Sequence, residues 1–285
     1  MIVFIALIAI TTVPAAMAAT FTVPGNFSTI QAAIDAAGDG DTILVDSGTY
    51  AENLIIEKAL TLIGMDTGSG RPVVNGNGST AIAIIENGVS IQGFMITGAK
   101  GPVSTIEPAG IYVYGSNVTI ADNIVSGNYN GIYLGGSSND DLTGNMADSN
   151  HVGIYLFQCT NVDVTENSAS SNTFRGIYVR EGSNNRLTGN TISNNGAMAV
   201  YLSSTKGNVL WLNTISNVIN TWITGTDTNY WNSSAQMAYK YNGSTYTSYL
   251  GNYWNDYEGA DTNGDAIGDK AYAVGTNNID QYPLT

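Results

Sequence analysis

Gly110-Ile-Tyr-Val-Tyr-Gly-Ser-Asn-Val-Thr-Ile-Ala-Asp-Asn-Ile-Val-Ser-Gly-Asn-Tyr-Asn130 is followed at once by Gly131-Ile-Tyr-Leu, and the chain goes on aligning with itself at a step of about 22 residues. Gly-Ile-Tyr begins at Gly110, Gly131, Gly153 and Gly176, and Ala199-Val200-Tyr201 continues the column. Three asparagine columns keep the same step: Asn117, Asn139, Asn161, Asn184; then Asn123, Asn145, Asn167, Asn190, Asn213; then Asn128, Asn150, Asn172, Asn194, Asn217. Several independent columns in one register are the mark of stacked units. Within a unit the apolar residues alternate, with Ile111 and Val113 on one side and Tyr112 on the other, then Val118 and Ile120, then Val125, as strands require. Short strands separated by Asn, Gly and Ser cannot bury their apolar faces alone; stacked at about 4.8 Å they close a continuous core. Glycine and β-branched residues every few positions rule out a helical solenoid. The expected fold is therefore all-β, a single-stranded right-handed parallel β-helix with three short strands per coil. Asparagine tolerates left-handed backbone at turns, and its amide both donates and accepts, so the columns read as structural.

Outward from the repeats, Ser28-Thr29-Ile30-Gln31 reads as a capping box. It opens a short capping helix with Ile30, Ala33, Ile34 and Ala37 on one face, stopped by Gly38,. Strands are expected near Thr42–Val45, Leu54–Ile56, Leu60–Ile63, Val73–Val74, Ile82–Ile85 and Val89–Ile96. The division is a signal peptide at 1–18, an N-terminal cap with the first coils at 19–64, repeats at 65–220, and a C-terminal cap at 221–285, rich in Trp and Tyr. The signal is the apolar run Ile2–Val13 ending in Ala16-Met17-Ala18, which points to secretion or an envelope location, with cleavage near Ala19,. No later apolar run has the roughly 18–20 residues that a bilayer span needs.

With 9 basic and 23 acidic side chains the formal net charge is −14. Such a surface repels nucleic acid and anionic lipid and attracts cations. Cys159 is the sole cysteine, so stability must come from the fold and not from an intrachain disulfide. Five Asn-x-Ser/Thr sequons begin at Asn26, Asn77, Asn117, Asn232 and Asn242,.

Ser28-Thr-Ile-Gln-Ala-Ala-Ile-Asp-Ala-Ala-Gly-Asp-Gly-Asp-Thr-Ile-Leu-Val45, Gly48-Thr-Tyr-Ala-Glu52 and Leu60-Thr-Leu-Ile-Gly64 resemble the entry of pectin-lyase-like β-helices. The ending, Leu250-Gly-Asn-Tyr-Trp-Asn-Asp-Tyr257, Asp261-Thr-Asn-Gly-Asp-Ala-Ile-Gly-Asp269 and Asp280-Gln-Tyr-Pro-Leu284, is similar to one branch, the NosD-type repeat proteins common among archaeal surface proteins. The resemblance covers nearly the whole mature chain. It implies the fold strongly and activity weakly, because the superfamily holds lyases, hydrolases, esterases and binding proteins. Namesake members assist copper delivery to nitrous oxide reductase in the periplasm.

Four groups of residues invite chemistry. Asp261, Asn263, Asp265 and Asp269, with the Ile267 carbonyl, alternate oxygens in a Gly-containing loop as a structural calcium site would,. Tyr112, Tyr133, Tyr155, Tyr178 and Tyr201 form an outward column, either a stabilising ladder or a platform for sugar rings,. Asp141, Asp163 and Arg186, next to Thr119 and with Asp140 and Glu166 close by, could imitate the carboxylate and arginine chemistry of a polysaccharide lyase or glycoside hydrolase acting on acidic glycans, or form a plain surface ion pair,. His151, Cys159, Met146 and Met198 fall on different turns and do not assemble a copper site,. The reading that follows is a non-catalytic envelope rod contacting polysaccharide or neighbouring envelope proteins, with the enzyme and the copper-processing protein as alternatives.

Overall fold

The structure, a computed structural model, describes residues 17–101, 107–225 and 228–285. The expected export signal lies almost wholly outside the described residues. Parallel strands stack into three faces of a solenoid. One sheet has nine strands, running from Thr20–Val23 through Asp141–Thr143, Asp163–Thr165 and Arg186–Thr188 to Val209–Trp211. A second has eight, from Leu54–Ile56 through Ala109–Val113, Asn130–Gly135, Val152–Phe157, Arg175–Arg180 and Met198–Ser203 to Ile219–Thr224. The third face is two short sheets joined through the bridges Ile124–Met146, Met146–Ser168 and Ser168–Thr191. Ile111, Ile132, Ile154, Ile177 and Val200 sit in direct register and are fully buried. The inner and outer faces are those the alternation demands.

Three hydrogen-bonded ladders run inside the corners. In one, Asn123, Asn145, Asn167, Asn190, Asn213 and Asn252 each donate a backbone N–H and an amide Nδ2–H to the Oδ1 of the next rung, except that Asn252 donates both to Asp280 Oδ2. Every bond points the same way, so the last rung needs an acceptor without hydrogens. Asp280 is that acceptor, and it takes Trp254 Nε1–H and Tyr282 N–H as well. Burial holds its carboxyl above the ordinary carboxylate range even against these four donors.

A left-handed residue precedes each of the first five rungs. Asp122, Gly144, Glu166, Gly189 and Leu212 have φ of 53–68° and stand before Asn123, Asn145, Asn167, Asn190 and Asn213. This kink turns the following side chain inward. The column Asn117, Asn139, Asn161, Asn184 supplies the same kink, at 56–58°; the inward positions are the next residues, Val118, Asp140, Val162 and Asn185. In the third column the rung is Asn195, not Asn194. Asn194 is the left-handed residue at φ 56°, as Ser171 is before Asn172, because that coil carries one residue more. The Gly110, Gly131, Gly153 and Gly176 column follows from this ladder: a Cβ at Gly153 would stand 2.7 Å from Asn172 Nδ2 and from the Gly176 carbonyl.

The N-terminal helix is Ile30–Ala36, and it is capped differently from a capping box. Thr29 is the N-cap and accepts from Ala32 N. Glu52, from a distant coil, accepts from Ile30 N and Gln31 N. Gln31 instead reaches Asp35 and both the N–H and C=O of Ile55. The helix ends with Ala37 as its C-cap, directly before Gly38, and Lys58 Nζ donates to the carbonyls of Ile34, Asp35 and Ala37. A carboxylate at the N-terminus and an ammonium at the C-terminus oppose the helix dipole ends. The strand Val89–Ile96 divides into Ser90–Gln92 and Met95–Thr97, and Thr20–Val23 pairs ahead of Thr42–Asp46. Coils persist past Asn220: Ile219–Thr224 continues the eight-stranded sheet and Tyr253–Trp254 pairs with Thr214–Ser216. Buried Trp231 and Trp254 plug this end. Among the described residues no helix is long and apolar enough to cross a membrane.

Candidate functional site

The outer face of the eight-stranded sheet carries two parallel aromatic columns. Tyr112, Tyr133, Tyr155, Tyr178 and Tyr201 are in register, and Trp222 extends the column beyond them. The rings lie on one another. Centroids are 4.5 Å apart for Tyr112–Tyr133, 4.4 Å for Tyr155–Tyr178 and 4.7 Å for Tyr178–Tyr201, with interplanar angles of 25°, 13° and 4°. Stacked rings turn their edges and hydroxyls to solvent, so most faces are not open to a sugar. The run breaks once, where Tyr133 meets Tyr155 at 84°. The second column is Tyr129, His151 and Phe174, stacked at 4.7 and 5.1 Å.

A groove opens along these columns. One part, about 280 Å³, lies at the break and is lined by Tyr112, Tyr114, Tyr133, Tyr155, Phe157, Glu107 and Arg180. The other, about 230 Å³, shares Glu107, Tyr155 and Arg180 and adds Asn130, His151, Phe174, Arg175 and Tyr178 among its walls. Arg175 and Arg180 begin and end one strand, Arg-Gly-Ile-Tyr-Val-Arg. The Arg175 guanidinium lies 4.1 Å from the Phe174 ring centroid, 4.4 Å from that of Tyr178 and 4.7 Å from that of Tyr201, which bridges the columns by cation–π contact. Its Nε is buried and finds no hydrogen-bond partner among the described residues. Arg180 pairs with Glu181 at 3.1 Å and lies over Phe157.

Electrostatics fits this placement. Burial lowers the His151 pKa, and Arg175 lowers it further, so the ring is neutral at physiological pH and its Nδ1 meets Thr173 Oγ1 at 3.2 Å. Burial pushes the Tyr112, Tyr133, Tyr155 and Tyr178 hydroxyls up, so they stay protonated donors. The column begun by Tyr112 was legible in the sequence; Arg175, Arg180, Glu107 and Trp222 were not singled out. The available signal was departure from the repeat. Register positions held by Asn130, Val152 and Met198 become Arg175 in one coil, and those held by Gly135, Phe157 and Ser203 become Arg180.

The other candidates lie elsewhere. Asp141, Asp163 and Arg186 are in register on the nine-stranded sheet, away from the groove. Arg186 Nε and Nη2 donate to the two Asp163 oxygens at 2.9 and 2.6 Å, and Asp141 accepts from Thr143 Oγ1. Asp140, one residue from Asp141, points inward instead. It is buried, its Oδ1 accepts from Val118 N at 2.9 Å, and its Oδ2 finds no hydrogen-bond partner among the described residues. In the acidic loop Asp261 accepts from the N–H groups of Gly264, Asp265 and Ala266, Asp265 from Ile267 N and Asn263 Nδ2, and Asp269 from Thr262 N. Among the described residues no three His, Cys, Asp or Glu side chains gather as a metal cluster.

These features define a class, the parallel β-helix with a ligand-sized groove on one sheet. Within it, the chain belongs to the NosD family, described as periplasmic copper-binding protein, which matches residues 34–259. Over 106 residues it is 36% identical to a cell surface glycoprotein of Methanothermus fervidus, a stretch covering 36% of this chain and 17% of that protein. The chain thus spans a small part of that relative. The Dettilon tailspike protein superposes with a TM-score of 0.52 at 17% identity, over 68% of this chain and 41% of the tailspike chain. The pectin methylesterase of Aspergillus niger gives 0.48 at 16%, over 76% and 84%. At such identities the likeness concerns the fold alone.

The family description raises copper, and the residues present do not fit it. Cys159 is a core side chain, fully buried, with Sγ against the carbonyls of Leu134 and Phe157; burial raises its thiol pKa. His151 lies at the other end of the strand Val152–Phe157, sandwiched between Tyr129 and Phe174. Met146 is exposed at the third face and Met198 starts a strand of the eight-stranded sheet. Among the described residues these four soft and imidazole ligands do not converge on one copper site.

Proposed function

We propose that this protein is an envelope β-helix that holds an acidic glycan in the aromatic groove without cleaving it. The family's periplasmic description and the similarity to a cell surface glycoprotein place it outside the cytoplasmic membrane. The observation that carries the ligand reading is Arg175: a guanidinium laid on three aromatic rings, its Nε buried without a partner, with Arg180 at the far end of the same strand. A planar guanidinium held in this way matches a carboxylate or sulfate bidentately. The open angle between Tyr133 and Tyr155 offers the ring face that a sugar needs, and protonated tyrosine hydroxyls supply donors to its oxygens,. Glu107 faces the same space and Glu181 pairs with Arg180, so Arg175 is the groove guanidinium with no ion-pair partner among the described residues.

Titration calorimetry with an oligouronate and a neutral glucan of equal length tests this. The oligouronate binds and the glucan does not, and Arg175→Ala weakens binding tenfold or more with an unchanged melting temperature. Equal binding of both sugars, or of wild type and variant, sinks the reading. Release of shortened products that is lost in Asp163→Ala would transfer the function to a catalytic column of Asp141, Asp163 and Arg186.

The proposal includes a structural calcium ion at Asp261, Asn263, Asp265, Asp269 and the Ile267 carbonyl. The donors are all oxygens, the set a hard cation takes. The loop also ties down the chain end, through Gly268 N to the Pro283 carbonyl and Thr285 N to the Ala266 carbonyl. A chelator should lower the melting temperature by several degrees, and calcium should restore it. A melting curve indifferent to both would remove the ion.

A further inference from the structure

We infer that Asn77, Asn117 and Asn242 are N-glycosylation acceptors and that Asn26 and Asn232 are not, an inference independent of what the groove binds. All five begin Asn-x-Ser/Thr sequons, so the sequence alone treats them alike. The fold separates them. An acceptor must present its side-chain amide at the surface, not pinned by short hydrogen bonds, with room for a sugar beyond it. Asn77, Asn117 and Asn242 are exposed residues at turn tips with φ of 48°, 58° and 46°, and among the described residues their side chains make no hydrogen bond. Asn242 crowns the hairpin of Met237–Tyr241 and Ser244–Ser248. Asn26 is exposed, but its amide is pinned: its Oδ1 accepts from Thr22 N at 2.8 Å and Thr22 Oγ1 at 3.0 Å. Asn232 is half-buried beside the plug residue Trp231, and its Nδ2 is spent on the Ser233 carbonyl at 2.9 Å.

Transfer would come from a host enzyme using a lipid-linked sugar phosphate. The Nδ2 attacks the anomeric carbon, the bond from that carbon to the phosphate oxygen breaks, the lipid phosphate leaves, and the Nδ2 proton passes to the enzyme's base. No oxidant or reductant is needed. None of the three acceptors lines the groove, so a decorated molecule keeps it open.

The repeat supplies an internal control. Asn161 occupies the same left-handed turn as Asn117, at φ 56°, and is exposed, and it too is followed by an inward valine, Val162. It lacks the hydroxyl two residues on, where Asp163 stands, and its Nδ2 makes one long contact, 3.5 Å, with Asn139 Oδ1. Asp163→Thr therefore rebuilds Asn-Val-Thr in that turn two coils along. Protein purified from the native envelope is digested and mapped by glycopeptide mass spectrometry. Expected are glycans at Asn77, Asn117 and Asn242, none at Asn26 or Asn232, loss of the Asn117 glycan in Thr119→Ala, and a new glycan at Asn161 in Asp163→Thr. Unmodified Asn77, Asn117 and Asn242 in native protein overturn the inference. So does a glycan at Asn26 or Asn232, or an Asp163→Thr protein that folds and reaches the envelope unmodified at Asn161.

Discussion

Asn123, Asn145, Asn167, Asn190 and Asn213 inside the solenoid and Tyr112, Tyr133, Tyr155, Tyr178 and Tyr201 outside it belong to the same five coils, yet the two stacks differ in regularity. Inside, the rungs repeat a near-identical set of bonds down to Asp280. Outside, four contacts between neighbouring tyrosines include one set at 84° among three that are nearly parallel. The interior is closed by buried apolar side chains, so a buried N–H must meet an acceptor within the protein and the geometry is forced. At the surface water can take any bond the protein leaves unmade. The outer stack is free to open, and the groove lies where it opens.

The strongest test of that contrast removes one member from each stack. Asn167→Ala removes the acceptor of the Asn145 N–H and of one Asn145 Nδ2 hydrogen, and the donor to the Leu142 carbonyl, in the core. A loss on the order of 3–5 kcal/mol is expected from several unmet buried groups. Tyr178→Ala, outside, should cost no more than about 1 kcal/mol. Urea unfolding measures both, and equal losses would erase the distinction.

A rung of the wrong chemistry gives a sharper test. Asp140 occupies the column of Asn185, Asn208 and Asn229, but a carboxylate has no hydrogen to donate as Asn185 Nδ2 does to the Cys159 carbonyl. Burial raises its pKa above the value in the unfolded chain. Its favourable contribution is therefore complete below about pH 4 and is lost as pH rises through the raised folded value. Asp140→Asn should stabilise the protein by about 1–2 kcal/mol at neutral pH, and the gain should vanish towards pH 4. A gain independent of pH would mean that Asp140 is not a protonation-dependent rung. The smallest effect belongs to the exposed pair on the outside: Arg186→Ala should change stability by about 0.2–1 kcal/mol, less in high salt. A larger loss would give this surface column the structural weight that the comparison assigns to the interior.

The stacking, the strand faces and two of the three ladders were legible because a repeat writes the same physical requirement once per coil. Where one residue slips, the periodicity misled: Asn194 and Asn195 are neighbours, and only the φ of 56° at Asn194 tells kink from rung. The helix caps were misassigned for a related reason, since Glu52 and Lys58 reach the helix from another coil. The ladder through Asp140, Asn185 and Asn208 was hidden behind the kink column of Asn139 and Asn184.

By itself the sequence settled the period, the parallel stacking and which side of each strand faces inward, because burial of alternate residues allows no second arrangement. The tertiary structure alone decided that Arg175, Arg180, His151 and Glu107 share a groove, that Asp141 and its neighbours do not reach it, and that three of five sequons stand free. Those are relations between coils at positions where the repeat is broken, and a broken repeat leaves no period from which to read them.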